Sequence, residues 1–429
     1  MRLNILIIAV LLFFLAGCQE ERRESKPVQC HGLNTEHLNH LYADIELEDG
    51  TQAGIVHIYS EYPDYHYEIE PNEGYTCVDD VARAVVFLCG CDSAVDRENN
   101  SVVLDKMMNF ILHMQAGNGY FHNFIWNDGS INRTYRTSLA RPDWWSWRAF
   151  WAMESYALIS EDNTAKISDA SEKLAERIFS DLMTDERETT EMEGLNVPQW
   201  LPWESAADQA GVLMLALNMY YERTNDERAA KMIRQLAEGM LMMQAGGSGK
   251  FPYGAFISWN NLWHAYGNIQ AFALMKAGST LGEQEYIDRA LVEVDNFYPW
   301  LISRDYLSNF SLSKEGNNYQ VAQEQKFPQI SYGFRPIVFA GIEAYRITGK
   351  RRYLNTAKQA ASWYAGRNAA EEVMYDPSTG RCFDAVNDID DINRNSGAES
   401  TIEALLALQA MTKAGITLED LFDSDNEDQ

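Results

Sequence analysis

Apolar residues recur at i, i+3, i+4 and i+7 along almost the whole chain, and the helices this spacing predicts are of two alternating kinds. Segments with helical periodicity begin near Thr35, Asp79, Val102, Ser146, Ala165, Ser205, Glu227, Trp263, Gln284, Pro336, Arg351 and Ala398. Stretches 105–115, 166–181, 226–244, 284–301 and 350–364 are striped and charged, as helices with one face in water are. Stretches 81–90, 149–159, 206–221, 265–277, 336–345 and 398–411 are rich in Ala, Gly and Leu and poor in Lys, as helices enclosed on all sides are. The two kinds alternate with a period of about 60 residues per pair, which marks repeated hairpins. Six enclosed helices inside six charged ones describe an all-α fold, an (α/α)6 toroid. An open helical solenoid is the competing arrangement, and the count and period favour the closed ring. Alternating, strand-like runs are few and short, such as 54–60.

One repeat is visible directly. Met114-Gln115-Ala116-Gly117 recurs as Met243-Gln244-Ala245-Gly246, each copy closing a charged helix and opening a glycine-rich loop. No Ser/Gly-rich linker interrupts the chain, so residues 34–415 are expected to form one toroid domain. Residues 1–17 read as a signal peptide, 18–33 as a tether and 416–429 as a solvated acidic tail.

The beginning of the chain carries Arg2, an apolar run from Leu3 to Leu15, and then Leu15-Ala16-Gly17-Cys18. The run is short of the ~20 residues a spanning helix needs, and its ending resembles the lipobox of bacterial lipoproteins. That resemblance implies lipidation at Cys18 and a membrane partner through the lipid. Gln19-Glu20-Glu21 resembles the acidic export signal of surface lipoproteins in the Bacteroidetes, which places the protein on the periplasmic or surface side of the outer membrane. The five remaining cysteines (Cys30, Cys77, Cys89, Cys91, Cys382) follow no ligand or disulfide spacing, so they are expected to be buried small hydrophobes.

A formal charge of −28 argues against a nucleic-acid partner, whose phosphates need a basic surface. The aromatic content points elsewhere. With 11 Trp and 22 Tyr, many beside polar loop residues, the chain is equipped to stack on sugar faces while ring edges hydrogen-bond.

In a toroid of this kind, the loops entering the inner helices converge on one cavity. Those positions carry Tyr75-Thr76-Cys77-Val78-Asp79-Asp80 with Arg83, then Arg141-Pro142-Asp143-Trp144 with Trp147 and Arg148. Next come Pro202-Trp203-Glu204 with Asp208, and Trp259-Asn260-Asn261-Leu262-Trp263-His264. Tyr332-Gly333-Phe334-Arg335 and Asn393-Arg394-Asn395-Ser396-Gly397-Ala398-Glu399 complete the set. Each cluster mixes carboxylate, Arg or His with an aromatic residue or a glycine.

The stretch Gly74 to Ala84 (Gly-Tyr-x-x-x-Asp-Asp-x-Ala-Arg-Ala) resembles a signature of six-hairpin glycosidase-like domains. So does Tyr375-Asp376-Pro377 through Asp384, followed by Asn393-x-Asn395-x-Gly397-Ala398-Glu399-Ser400-Thr401. The resemblance spans most of the chain after Cys18. It implies the toroid and a carbohydrate substrate, and leaves the reaction open, because that superfamily includes hydrolases, lyases and epimerases.

Glycoside hydrolysis needs one protonated and one ionised carboxyl group. Asp79, Asp80, Glu204, Asp208 and Glu399 compete for these roles. Asp80 and Glu204 are the expected acid/base pair, with Asp208 as substitute: Trp203 beside Glu204 would exclude water and raise its pKa. Asp79 and Glu399 sit where a helix cap would, so they are assigned to binding. Arg83 lies one turn from Asp80. Arg141, Arg148 and Arg335, with Arg133 and Arg136, either receive an acidic glycan through bidentate bonds or neutralise the nearby acids. Trp144, Trp147, Trp259 and Trp263 are candidate sugar platforms, two of the four being expected in the core, and Trp203 is a further substrate-binding candidate. His264 is a candidate proton carrier. A lyase would use His264, Tyr332 and the arginines to take a proton beside a uronate, and a non-catalytic glycan-binding protein would need only the tryptophans. No metal or phosphate-loop motif is present, so no cofactor is expected.

Overall fold

In the computed structural model, residues 26–160 and 164–422 are described. Their helices are α1 (Glu36–Leu41), α2 (Val78–Cys89), α3 (Ala94–His113), α4 (Trp144–Ala157), α5 (Thr164–Leu182), α6 (Ala207–Thr224) and α7 (Glu227–Met242). After them come α8 (Gln270–Leu281), α9 (Gln284–Ile302), α10 (Arg335–Thr348), α11 (Arg351–Ala361), α12 (Ala398–Lys413) and α13 (Leu418–Phe422). The even-numbered helices α2 to α12 pack in sequence order, and α12 returns to α2, so the inner ring is closed. Residues right round the girth of α6 and α12 are buried, whereas α11 buries one face only. That is the difference between an enclosed and a striped helix that the composition already carries.

The two ends of the ring differ. Connections from an inner helix to the following outer one are short and stopped by left-handed residues: Asn225 (φ 55°) after α6, Gly282 (φ 72°) after α8 and Gly349 (φ 68°) after α10. Side-chain caps then restart the helix, Ser93 for α3 and Asp226 for α7. Connections from outer to inner helices are long and carry all the short sheets, so the inner-helix N-termini are surrounded by loop structure. Inner and outer layers meet closely: a Cβ on Gly341 of α10 would lie 2.9 Å from the Tyr353 carbonyl oxygen of α11. The repeated glutamines do one job twice. Gln115 Nε2 donates to the Gly119 and Ala170 carbonyls, and Gln244 Nε2 to those of Gly254 and Arg289, tying each glycine loop to the next outer helix.

The structure corrects several expectations. Helix α3 starts at Ala94, capped by Ser93, well before the periodic stretch. Helix α8 starts at Gln270, because Leu262–His264 is a strand paired to Asn309–Glu315. A long hairpin, Asn309–Glu315 with Asn318–Gln325, has no counterpart in the sequence reading. Residues 28–33 belong to the folded body and not to a tether: Val28 and Cys30 are buried, and Cys30 forms a disulfide with Cys91. The spacing of 61 residues hides that pair from any motif, since only the fold brings the two Cα atoms to 5.3 Å. Helix α13 packs on the body through buried Leu421, so the tail proper begins later than residue 416. Cys18 and residues 423–429 lie outside the described residues. No helix among the described residues is long and apolar enough to cross a membrane.

Candidate active site

Arg83, on the second turn of α2, is the centre of the long-loop face. Its Nη1 donates to Asp79 Oδ2 (2.9 Å) and Asp80 Oδ1 (2.7 Å), its Nε to Glu403 Oε1 (3.0 Å) and its Nη2 to Glu399. Asp79 and Asp80 come from the same helix, three and four residues back, where the helical turn must bring them. Glu399 and Glu403 come from α12, more than 300 residues away, and meet Arg83 because the ring closes there. Arg148 of α4 holds Asp79 from the other side, at 2.7 and 2.9 Å, and Arg335 of α10 donates to Glu403. Four of the six inner helices therefore meet in one ionic network. Gly74 sets its approach: with φ 139° it lets the strand Thr76–Cys77 pair beside Phe124–Ile125, and a Cβ there would strike the Ile125 carbonyl.

The network drives its carboxyl groups apart in protonation. Burial tends to raise Asp79, but Arg148 and Arg83 prevail and hold it below the usual aspartate value, so it stays ionised. Burial raises Glu399 to about 7 in spite of Arg83, helped by the charges of Asp80 and Asp79. The Glu399 side chain is still 33% exposed. Its side chain thus keeps some contact with solvent while the protein packed around it leaves the carboxyl group poorly hydrated. Burial also raises Asp80.

Beside this network lies a cleft of about 330 Å³ lined by Trp144, Trp203, Asp208, Gln209, Trp259, His264 and Tyr266, among others. Trp203, Trp259 and Tyr266 are 45–49% exposed, large apolar surfaces left open at a concave site. Trp203 and Glu204 form a tight turn with both residues left-handed (φ 48° and 69°), a conformation that costs about 1–3 kcal/mol per residue and collects at functional sites. Arg141 lies 4.8 Å from the Trp203 ring centre, and the Trp259 indole donates to the Trp203 carbonyl. Two contacts join the cleft to the network. The Arg148 guanidinium lies 5.1 Å from the Trp144 ring centre, and Tyr266 meets Tyr332 edge to face, with Glu399 acting on both phenols.

Most of the side chains singled out from the sequence come together here, with changed roles. Asp80 is buried and both its oxygens are engaged, Oδ1 by Arg83 and Oδ2 by the Cys77 thiol (3.3 Å), which leaves it no free edge for a substrate. Glu204 is exposed next to Trp203; its carbonyl accepts from the Leu201 N–H, and its carboxyl group has no hydrogen-bond or ion-pair partner among the described residues. The two are therefore not arranged as an acid/base pair. Asp208 Oδ2 is bonded to His264 Nε2 (2.8 Å), while His264 Nδ1 accepts from the Gly267 backbone, so neither ring nitrogen is open to a substrate proton. Trp147 and Trp263 are fully buried. Trp147 is no platform: its indole N–H fixes Gln209 Oε1 (2.8 Å), and Trp263 stacks on Phe310 within the core. Arg335 is buried on Glu403. Arg141 bonds Asp143, the N-cap of α4.

Glu403, Cys77, Gln209 and Tyr266 were not singled out from the sequence as site residues. Glu403 carries a readable signal, since it follows Glu399 by one turn on an otherwise apolar helix. Among the described residues no group of three or more His, Cys, Asp or Glu is placed to hold a metal ion.

No family model matches the sequence, and no curated protein matches it. Solved structures do match the fold. A sugar epimerase from a ruminal bacterium aligns with a TM-score of 0.60 at 13% identity, over 83% of this chain and 92% of the other. Cellobiose 2-epimerase from Bacillus thermoamylovorans gives 0.59 at 12%, over 83% and 92%. A family 76 glycoside hydrolase from a bovine Bacteroides thetaiotaomicron strain gives 0.56 at 12%, over 86% and 75%. The chain has the fold of these proteins, an (α/α)6 toroid, as the alternation of enclosed and striped helices predicts.

Proposed function

We propose that the protein is a carbohydrate-active enzyme and, within that class, a glycoside hydrolase that binds an oligosaccharide on Trp144, Trp203, Trp259 and Tyr266. The observation that carries this reading is the pairing, through one arginine, of an ionised Asp79 with a Glu399 raised to about 7. Two carboxyl groups driven apart in pKa are what acid-assisted cleavage of a glycosidic bond requires. Glu399 donates its proton to the leaving oxygen. Asp79 is fixed as a carboxylate by Arg83 and Arg148 on both its oxygens, and acts on the charge developing on the sugar ring or on the attacking water through the 20% of its side chain that stays exposed. Asp80 and Glu403 hold Arg83 in place.

Proton transfer at carbon, the chemistry of an epimerase or a lyase, fits less well. His264 has both nitrogens occupied, and burial beside Glu399 keeps the Tyr332 phenol neutral. The separate test is Glu399→Gln, with turnover and binding of the same oligosaccharide measured in parallel. We expect turnover to fall by about 10²-fold or more with affinity little changed, and the wild-type rate to decline as pH rises above about 7. A protein that binds glycans and never turns them over is instead a binding protein, and Glu399→Gln would then change nothing but affinity.

The Cys30–Cys91 disulfide favours an oxidising compartment and so supports export and anchoring at Cys18. It pins the N-terminal segment to the short-loop end of the ring, so an anchor there would leave the cavity facing away from the membrane.

A further inference from the structure

We infer that the glycan is neutral: neither a uronate nor a sulfated sugar is accepted in the cleft. The inference rests on the reading of the cleft as a glycan site and not on the reaction performed there. An anionic sugar needs a cation with free donors aimed at it, commonly an arginine able to bond in fork geometry. No arginine is part of the cleft lining, and each of the four guanidinium groups in and around the ionic network already holds a protein carboxylate. Arg83 serves Asp79, Asp80, Glu399 and Glu403. Arg148 donates through Nη1 alone to both oxygens of Asp79, and its guanidinium lies over the Trp144 ring. Arg335 is committed through Nε to Glu403, and its Nη1 is buried without a partner, out of reach of solvent. Arg141 is bound through Nε and Nη2 to Asp143 Oδ2 (3.0 and 2.9 Å), and its face lies against Trp203.

The charges on the other side of the account are larger. Asp79, Asp80, Asp143, Glu399 and Glu403 share four arginines, and Asp208 is bonded to His264 instead. Turning Arg83 or Arg141 toward a sugar carboxylate would leave Asp80 or Asp143 buried without a cation, and turning Arg148 or Arg335 would leave Asp79 or Glu403 with one arginine in place of two. The cleft wall itself offers Trp144, Trp203, Gln209, Trp259 and Tyr266, which stack on and hydrogen-bond uncharged rings, and its one carboxylate is Asp208. Arg133 and Arg136 do not line it. The formal charge of −28 adds a long-range field that repels polyanions before they arrive.

The test uses the wild-type protein and matched pairs of probes: gluco-, manno- and galacto-oligosaccharides, each against its C6-oxidised, uronate form, with binding measured by calorimetry. At least one neutral member should bind, and its oxidised partner should bind at least tenfold more weakly. That gap should narrow as salt screens the acids facing the cleft. An oxidised member that binds as well as its neutral partner overturns the inference, as does a protein that binds no neutral member of the panel. Neutral binding without any cleavage leaves this inference standing and removes the hydrolase reading, so the two failures are told apart.

Discussion

Replacing Arg83 by Met tests whether the ionic network is as buried as its geometry indicates. The substitution keeps much of the side-chain volume and removes the charge shared by four carboxylates. Two of the four retain a partner: Asp79 keeps Arg148 and Glu403 keeps Arg335. Asp80 is left with the Cys77 thiol, and Glu399 with no cation bonded to it. Removing one member of a buried ion pair costs about 3–5 kcal/mol, a large share of the ~5–15 kcal/mol that holds a folded protein together. The loss must also depend on pH. Without the guanidinium, Asp80 and Glu399 bind protons more tightly folded than unfolded. Stability is then retained at low pH and lost as pH rises through their elevated folded values. Urea unfolding at about pH 5.5 and pH 8 measures both effects. We expect a deficit of about 3–5 kcal/mol at the higher pH that shrinks by more than ~1 kcal/mol at the lower. A deficit below ~1 kcal/mol, or one equal at both pH values, would mean that water reaches the network and would refute the argument for a raised Glu399.

Other consequences follow from separate parts of the molecule. Cys30→Ser should cost up to about 4 kcal/mol by the chain-entropy relation for a loop of 61 residues, read by thermal unfolding with and without reductant; an unchanged midpoint would show the bond is not formed. Glu293, enclosed with the Phe256 N–H and the Tyr298 hydroxyl, is raised by burial to about 8. Its folded pKa exceeds its unfolded one, so the stability it contributes at acid pH is lost as pH climbs through 8; Glu293→Gln should flatten the decline in melting temperature between about pH 6 and 9. Trp203→Ala and Trp259→Ala remove half-exposed rings, so each should raise KM by an amount on the order of 1 kcal/mol and leave the melting temperature nearly unchanged. A matching fall in kcat with KM constant would place these rings elsewhere in the reaction.

The architecture was legible because composition separates enclosed from striped helices, and the alternation of the two is a ring written along the chain. What escaped was everything that depends on the ring closing. Arg83 and Glu403 are 320 residues apart, and nothing local links them until α12 meets α2. Asp80 was overvalued for the same reason: its neighbours in sequence make it look poised, whereas its neighbours in space occupy both oxygens. Cys30 and Cys91 share no motif and are joined by the wrapping of the N-terminal segment around α12. The hairpin at 309–325 was missed because its second strand is polar on both faces, so no alternation marks it. Trp259 and Trp263 stand four residues apart in one cluster, yet one is exposed and the other lies in the core, since a strand and not a helix carries Trp263.

Hydrolysis is decided by incubating the protein with neutral oligosaccharides in ¹⁸O-labelled water and following masses and near-ultraviolet absorbance. A hydrolase gives shorter products that together gain one water, with the heavy oxygen at the new reducing end, and Glu399→Gln gives no such products. Sugars of unchanged mass and altered configuration, unsaturated ends that absorb in the ultraviolet, or substrate recovered intact would each contradict hydrolysis.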